Sequence, residues 1–211
     1  MRPSGRQGPV ATSFTAFQLY QENEAWSWEH LALTRATVVA GDTHLAETLE
    51  RFRLELFQSR TDEAAIRHET REMRKRLAEA KPGSTWDPKS GAGRMMDIEL
   101  LAEAAALITK APTQDVYEQL RAGVTAGWIT DTEHEVLSET YRLTWRLQSA
   151  ARLLTGERLD PDAIGFDGRA FLLRSTEVDS IEALEADIAT ACHEAAQVLD
   201  AVLARPVPNA V

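Results

Sequence analysis

The residues best suited to chemistry in this sequence lie in one short segment, KSGAGRMMDIE, residues 89–99. A lysine and two glycines, Lys89, Gly91 and Gly93, directly precede an apolar stretch that begins with an acid. Backbone N–H groups at a helix N-terminus, with a cation nearby, favour an anion such as a phosphate. The spacing matches neither the GxxxxGK[ST] phosphate loop nor the GxGxxG fingerprint. On spacing alone, a simple loop at the start of a helix is favoured.

Two carboxylates follow this loop. Asp97 falls in the first turn of the expected helix, where the unpaired N–H groups stabilise a carboxylate by up to about 1 kcal/mol, so helix capping is its expected role. Asp97 and Glu99 are separated by about 200° around a helix and cannot converge on one metal ion. Glu99 and Glu103 are like charges at i, i+4 and repel each other. We therefore expect an arginine from another helix or another domain beside Glu99.

The remaining reactive side chains show no catalytic or metal-binding pattern. Cys192 is the single cysteine, and the five histidines lack metal-ligand spacing, so we interpret the histidines as surface or boundary residues. No GxSxG segment supports a hydrolase triad. The tryptophans are expected to pack in or beside the core rather than to bind a ligand. They are Trp26, Trp28, Trp86, Trp128 and Trp145.

Composition narrows the class of protein. The chain has 211 residues, 44% of them hydrophobic, and a net charge of -10, which repels nucleic-acid phosphates. The basic run at residues 67–76 is interrupted by glutamates and predicts a solvated helix face. No apolar stretch is long enough for a membrane span, and the N-terminus lacks the apolar core of a signal peptide. With its lone cysteine, the protein is expected in the cytoplasm.

Hydrophobic periodicity predicts helices through most of the chain. The apolar residues of 95–110 surround nearly the whole circumference, which predicts a central helix, whereas 62–80 carries one narrow stripe and predicts an outer helix. Residues 157–168 are expected to form a loop. The sequence thus predicts an all-α antiparallel helical bundle, with a possible strand remnant only at the start. The other predicted helices are 14–40 with a bend near 24, 43–59, 113–123, 131–155 and 180–204.

Three ordered blocks carry a family resemblance: RPSGRQGPVATSFTAFQLYQ at 2–21, AWSWEHLALTRATVVAGD at 25–42 and WDPKSGAGRMMDIELLAEAAAL at 86–107. Together they resemble the C-terminal region of the bifunctional glutamine synthetase adenylyltransferase/adenylyl-removing enzymes. The resemblance implies three parts: residues 1–13 as the end of a nucleotidyltransferase domain, 14–205 as the helical bundle and 206–211 as a tail.

The resemblance also implies a function. The intact enzymes transfer an adenylyl group from ATP, with Mg²⁺, to a tyrosine of glutamine synthetase in nitrogen regulation, under control of the PII protein. The family's catalytic aspartates would lie before Met1, so we expect no catalytic or metal-binding residue and no cofactor in this truncated chain, which should be inactive without its N-terminal catalytic domain. By resemblance, nine residues lie near the nucleotide or at a domain interface: Arg2, Arg6, Glu29, Arg35, Lys89, Gly91, Gly93, Asp97 and Glu99.

Some positions depart from the family pattern. Thr37 stands where an arginine is expected, Pro88 replaces a leucine, and Arg94 and Met95 alter a pair of glycines. Two other interpretations remain. One is a stand-alone helical interaction module that binds glutamine synthetase or a PII-type signalling protein. The other is the helical domain of a different nucleotidyltransferase, such as the uridylyltransferase that acts on PII, which the tryptophan-rich second block disfavours.

Overall fold

The computed structural model describes residues 11–208. Within them the chain forms nine helices and no strand, so the predicted all-α helical bundle is confirmed. Arg2, Arg6 and the expected strand remnant before residue 11 lie outside the described residues. The helices are α1 (Phe14–Asn23), α2 (Ser27–Leu33), α3 (Thr43–Ser59), α4 (Glu63–Ala80), α5 (Met95–Thr109), α6 (Val116–Thr125), α7 (Asp131–Leu154), α8 (Gly165–Thr176) and α9 (Ile181–Ala204).

Helix α5 is the centre of the bundle. Eleven of its fifteen residues are buried, and it contacts α2, α4, α6, α7 and α9. From Leu100 to Leu107 every residue except Glu103 is an alanine or a leucine, and the small alanines allow neighbouring helices to approach closely. The prediction of a central helix is confirmed. A second, smaller apolar cluster joins α7, α8 and α9 around Leu147, Leu172 and Leu184.

The first long helical prediction is only partly correct. A break occurs near Glu24 as expected, but α2 ends at Leu33, well before residue 40. The β-branched residues that follow, Thr37, Val38 and Val39, have weak helix propensity. In addition, the Thr34 carbonyl accepts a hydrogen bond from a side chain of another helix. Arg53 donates to it at 3.2 Å and to the Pro112 carbonyl at 2.9 Å, and the Arg53 side chain is only 3% exposed. These tertiary bonds end α2 early.

Helix α8 was not predicted. It begins at Gly165, inside the expected loop, and Gly165 has a positive φ of 67°. Only Leu172 and Thr176 are buried along its twelve residues, so no apolar stripe marked it in the sequence. Helix α6 was predicted at 113–123, but it begins at Val116, where Asp115 accepts the capping bond from the Glu118 N–H.

The tryptophans do not behave as one group. Trp128 is fully buried, and its indole N–H donates to the Val202 carbonyl at 2.9 Å. Trp26, Trp28 and Trp145 are 68%, 43% and 53% exposed, so the expectation that they pack in or beside the core is wrong for these three. None of the helices in the described residues combines the length and apolar character needed to cross a bilayer.

Candidate functional site

The loop between α4 and α5 pairs its own backbone groups. The Met95 N–H donates to the Pro88 carbonyl at 3.3 Å, and the Met96 N–H donates to the Lys89 carbonyl at 3.1 Å. Asp87 accepts from the Lys89 N–H at 2.9 Å. Two donors at the start of α5 are therefore occupied within the loop, as a simple loop at a helix start requires. The Lys89 side chain is exposed.

Two glycines just before α5, Gly91 and Gly93, are required by the backbone conformation, and Gly93 also by packing. Gly91 and Gly93 have φ values of 119° and 68°, in the region that favours glycine. Gly93 is buried against α9, and a Cβ built on it would lie 1.9 Å from the Cys192 carbonyl oxygen. The loop and the α9 backbone can approach this closely only because residue 93 has no side chain. Arg94 donates to the Asp87 carbonyl at 2.5 Å and ties the loop back on itself.

Asp97 lies at the meeting point of three helices. It lies in the first turn of α5 as expected, but its carboxylate accepts from the Gly93 N–H, which precedes the helix, at 2.8 Å. Arg74 of α4 also binds it with two donors, Nε at 2.5 Å and Nη2 at 3.0 Å, and reaches Asp200 of α9 at 2.8 Å. Burial opposes the charge on Arg74, but these two carboxylates hold its pKa above the ordinary value. The cluster fixes α4 and α9 to the start of α5.

Glu99 faces the other side of α5. The arginine expected beside it is Arg35, from the segment after α2, at 2.8 Å, and the Tyr141 hydroxyl donates to the same carboxylate at 3.0 Å. Burial, and then the charge of Glu99, raise the pKa of Tyr141. Burial also raises the pKa of Glu103 to about 7; Arg35 opposes this shift and Glu99 adds to it.

Glu29 is buried in the corner between α1 and α2. Its carboxylate accepts from the Trp26 N–H at 3.0 Å and from the Tyr20 hydroxyl at 2.9 Å, so it caps α2. The neighbouring His30 is only 3% exposed and bonds the Gln21 carbonyl at 3.0 Å. The interpretation of His30 as a surface or boundary residue is therefore wrong. Burial, and then the charge of Arg60, lower the pKa of this imidazole.

The predicted residues therefore fall into separate places. Gly93 and Asp97 belong to one cluster, and Arg35 and Glu99 to another on the opposite side of α5. Glu29 lies in the α1–α2 corner. Within residues 11–208, no three His, Cys, Asp or Glu side chains come together in a way that would hold a metal ion.

Sequence reasoning missed two side chains that complete these clusters. Tyr141 lies in the predicted helix 131–155 and carried no signal of its own, although its hydroxyl binds Glu99. Arg74 was included in the basic run taken for a solvated face, yet it is only partly exposed and paired. Thr70 of that run is buried as well. Three exposed cations, Arg71, Lys75 and the nearby Lys81, line an open groove of about 360 Å³ beside the loop.

Comparison with known proteins first identifies the class of protein to which the chain is related. The two family descriptions that match the chain both name nucleotidyltransferases, so the bundle is a helical region of that class of enzyme. The family model described as GlnD PII-uridylyltransferase matches residues 57–203, and the chain belongs to that family. The model described as Glutamate-ammonia ligase adenylyltransferase matches residues 1–52.

The curated relatives are bifunctional glutamine synthetase adenylyltransferase/adenylyl-removing enzymes. Identity is 34% over 210 residues for that of Bradyrhizobium diazoefficiens (strain USDA 110), covering 96% of this chain and 21% of the relative. It is 36% over 198 residues for that of Rhizobium meliloti (strain 1021), covering 89% and 20%. The predicted resemblance is confirmed, and the chain spans about a fifth of these relatives' length. Since the first alignment extends across residues 57–203, adenylyltransferases carry this helical region too.

Proposed function

We propose that this chain is the helical domain of a glutamine synthetase adenylyltransferase and transfers no adenylyl group by itself. It would work with a nucleotidyltransferase domain that precedes it and that holds ATP and Mg²⁺. Two observations support this proposal: the relatives are adenylyltransferases, and the chain spans about a fifth of their length.

One observation carries the proposal: the carboxylates of the candidate site already have partners within the bundle. Asp97 is bound by Arg74, and Glu99 by Arg35 and Tyr141, on opposite sides of α5. Mg²⁺ in phosphoryl transfer needs convergent carboxylates with oxygens directed at the ion. The described residues do not fit Mg²⁺, and we derive no catalytic step from them. Their geometry suits a rigid scaffold.

The scaffold presents the loop of residues 87–94 in a fixed position. Gly93 holds the loop against α9, and the Asp97 cluster holds the start of α5 against α4. Lys89 projects from this loop with an exposed side chain, and an ammonium group there suits a phosphate of a nucleotide held by the neighbouring domain. In this proposal the bundle completes one wall of the nucleotide cleft, and glutamine synthetase and a PII-type protein are partners of the whole enzyme.

A reconstitution assay tests the proposal. The chain is mixed with ATP, Mg²⁺ and glutamine synthetase, and adenylylated tyrosine is measured by mass spectrometry. We expect no transfer. Adding the complementary part of the Bradyrhizobium diazoefficiens relative, without the region this chain matches, should restore transfer above the level of that part alone.

Two results would contradict the proposal. Transfer by the chain alone would show that it contains catalytic residues. Failure of the complementary part to gain activity, together with direct binding of the chain to glutamine synthetase or to a PII-type protein, would instead identify a stand-alone interaction module.

A further inference from the structure

The open groove of about 360 Å³ beside the α4–α5 loop lies between α4, the start of α5 and α9, and its charge is positive. Six charged side chains line it: Arg71, Arg74, Lys75, Lys81, Asp97 and Asp200. Four cations against two carboxylates leave it with a formal charge of +2, whereas the whole chain carries -10. A local excess of positive charge on a concave surface attracts anions.

Three of these cations have no carboxylate partner among the residues that the structure describes. The Arg71 guanidinium donates to the Leu203 carbonyl at 2.8 Å, which positions the cation without neutralising it. Lys75 and Lys81 are exposed and form no ion pair within that part of the chain. Arg71 and Lys75 are four residues apart on α4, so they lie on the same face of the helix. Both charges are therefore open to an anion from solution.

Arg74 adds a guanidinium that is already held in place. Its Nε and Nη2 bind Asp97 at 2.5 and 3.0 Å, and the two side chains are 13% and 10% exposed. Its Nη1 binds Asp200 of α9 at 2.8 Å, but the Asp200 side chain is 75% exposed. Because the pair with Asp97 fixes the plane of the guanidinium, Nη1 can bind a second anion at little cost in side-chain entropy.

Asp200 indicates the chemistry that the groove accepts. Its carboxylate occupies the position at Arg74 where an anion would bind, and an ion pair this exposed contributes little free energy. A phosphate carries up to two negative charges and three acceptor oxygens, so it can engage Arg71 and Lys75 as well as Nη1 of Arg74. A phosphate therefore competes favourably with the Asp200 carboxylate.

The rest of the lining is largely apolar, and it includes Leu77, Met96 and Ala196. The volume of the groove lies within the range of about 300–1,000 Å³ that is typical of small-molecule sites. Nucleic acid is a poor ligand for a chain with a net charge of -10. The groove thus fits a small molecule that has a phosphate at one end and an apolar body.

We propose that this groove binds a small organic phosphate. Arg71, Arg74 and Lys75 hold the phosphate, and the apolar body lies against Leu77 and Met96. Lys89 is not one of the lining residues, so the site is separate from the contact proposed above between Lys89 and a nucleotide of the neighbouring domain. The inference goes beyond the proposed function, and binding requires no other domain.

Amide chemical shifts of the whole ¹⁵N-labelled chain, recorded at low ionic strength, test the site. Phenyl phosphate is the probe, and inorganic phosphate and phenol represent its two halves. We expect phenyl phosphate to shift the amides of Gly91, Ala92 and Ala196, and phenol to shift none. Contact with the apolar lining should make phenyl phosphate bind at least about threefold more tightly than inorganic phosphate. Added salt should weaken the binding of both anions because it screens exposed charges.

Two matched variants of α4 test which cation is used. Lys75→Gln removes a cation that lines the groove, and Arg76→Gln removes the next cation along the helix, which is exposed but lies outside the groove. Lys75→Gln should weaken phenyl phosphate binding about threefold to fivefold, while Arg76→Gln binds like wild type. Asp200→Asn removes the competing carboxylate and should strengthen binding about threefold. All three positions are exposed, so the variants should keep the fold, which circular dichroism checks.

Several outcomes would overturn the inference. Absence of phenyl phosphate binding, equal losses for Lys75→Gln and Arg76→Gln, or weaker binding by Asp200→Asn overturns the site. Equal affinities for phenyl phosphate and inorganic phosphate overturn the apolar part of the ligand and assign the groove to free phosphate. Tighter binding of a tetraglutamate peptide at the same amides would assign the groove to an acidic protein segment instead. None of these measurements depends on adenylyl transfer, so the proposed function can fail while the site stands.

Discussion

Replacing Gly93 with alanine should destabilise the bundle. Two costs combine. An alanine held at a φ of 68° costs about 1–2 kcal/mol because its Cβ crowds the backbone. The new Cβ would also lie 1.9 Å from the Cys192 carbonyl oxygen and 2.8 Å from the Ala196 nitrogen, so the loop and α9 must separate. Overpacking of this kind costs about 1–3 kcal/mol.

The chain offers controls that separate the two costs. Gly165 has a φ of 67°, and no atom lies within 4 Å of a Cβ built on it, so Gly165→Ala carries the backbone cost alone. Gly156 has the same open surroundings without a positive φ, so Gly156→Ala should change stability little. The expected order of destabilisation is Gly93→Ala, then Gly165→Ala, then Gly156→Ala.

Urea unfolding followed by circular dichroism at 222 nm measures these differences. We expect Gly93→Ala to lower the free energy of unfolding by about 1–3 kcal/mol more than Gly165→Ala does. Equal losses for the two variants would refute the close contact between the loop and α9. Backbone conformation alone would then explain the glycines, and a ligand-binding role of the loop would again have to be considered.

Three further predictions use the same unfolding assay. Asp97→Asn breaks a largely buried ion pair and should lower the free energy of unfolding by about 3 kcal/mol. Asp200→Asn, at a carboxylate that is 75% exposed, should lower it by less than about 1 kcal/mol. Similar losses for the two variants would contradict the roles assigned to these carboxylates. Trp128→Phe should cost about 2–4 kcal/mol through lost volume and a lost hydrogen bond, while Trp145→Phe stays within about 0.5 kcal/mol. The pKa of Glu103 is raised to about 7 in the folded state, so the folded chain binds more protons than the unfolded chain between its ordinary value of 4.5 and 7. The free energy of unfolding should therefore fall as pH rises through that range, by on the order of 2 kcal/mol, and Glu103→Gln should remove this dependence. If wild type and variant show the same pH profile, the raised pKa assigned to the Glu103 carboxyl is wrong.

The sequence predicted the parts of the fold that depend on local patterns. Helix α5 was identified as central because apolar residues surround it, and 95–110 was close to the observed Met95–Thr109. Helix α9 was placed at 180–204 and begins after its cap Ser180. In both segments the apolar periodicity is strong, and the residues that mark the ends of the helix lie next to it in the sequence. The prediction of these helices therefore did not depend on contacts with distant parts of the chain.

The errors arise where distant contacts decide. The end of α2 depends on Arg53, whose guanidinium bonds the Thr34 carbonyl from another helix. The glycine at position 93 is required by Cys192, almost a hundred residues later in the chain, so spacing within the loop did not reveal its reason. The exposure of Trp26 could not be predicted because residue type alone favours burial. The pairing of Asp97 with Arg74 likewise depends on how α4 packs on α5.

The bonds of Arg53 have a consequence for how the molecule opens. One guanidinium holds the carbonyls of Thr34 and Pro112, two stretches of backbone far apart in the chain, and it is almost wholly removed from water. Detaching α2 alone would remove the Thr34 acceptor of this buried cation and leave it only the Pro112 carbonyl and the Glu50 carboxylate. Fraying from that side is therefore suppressed, and amide protons of α2 should exchange with deuterium in the same cooperative event as those deep inside the bundle.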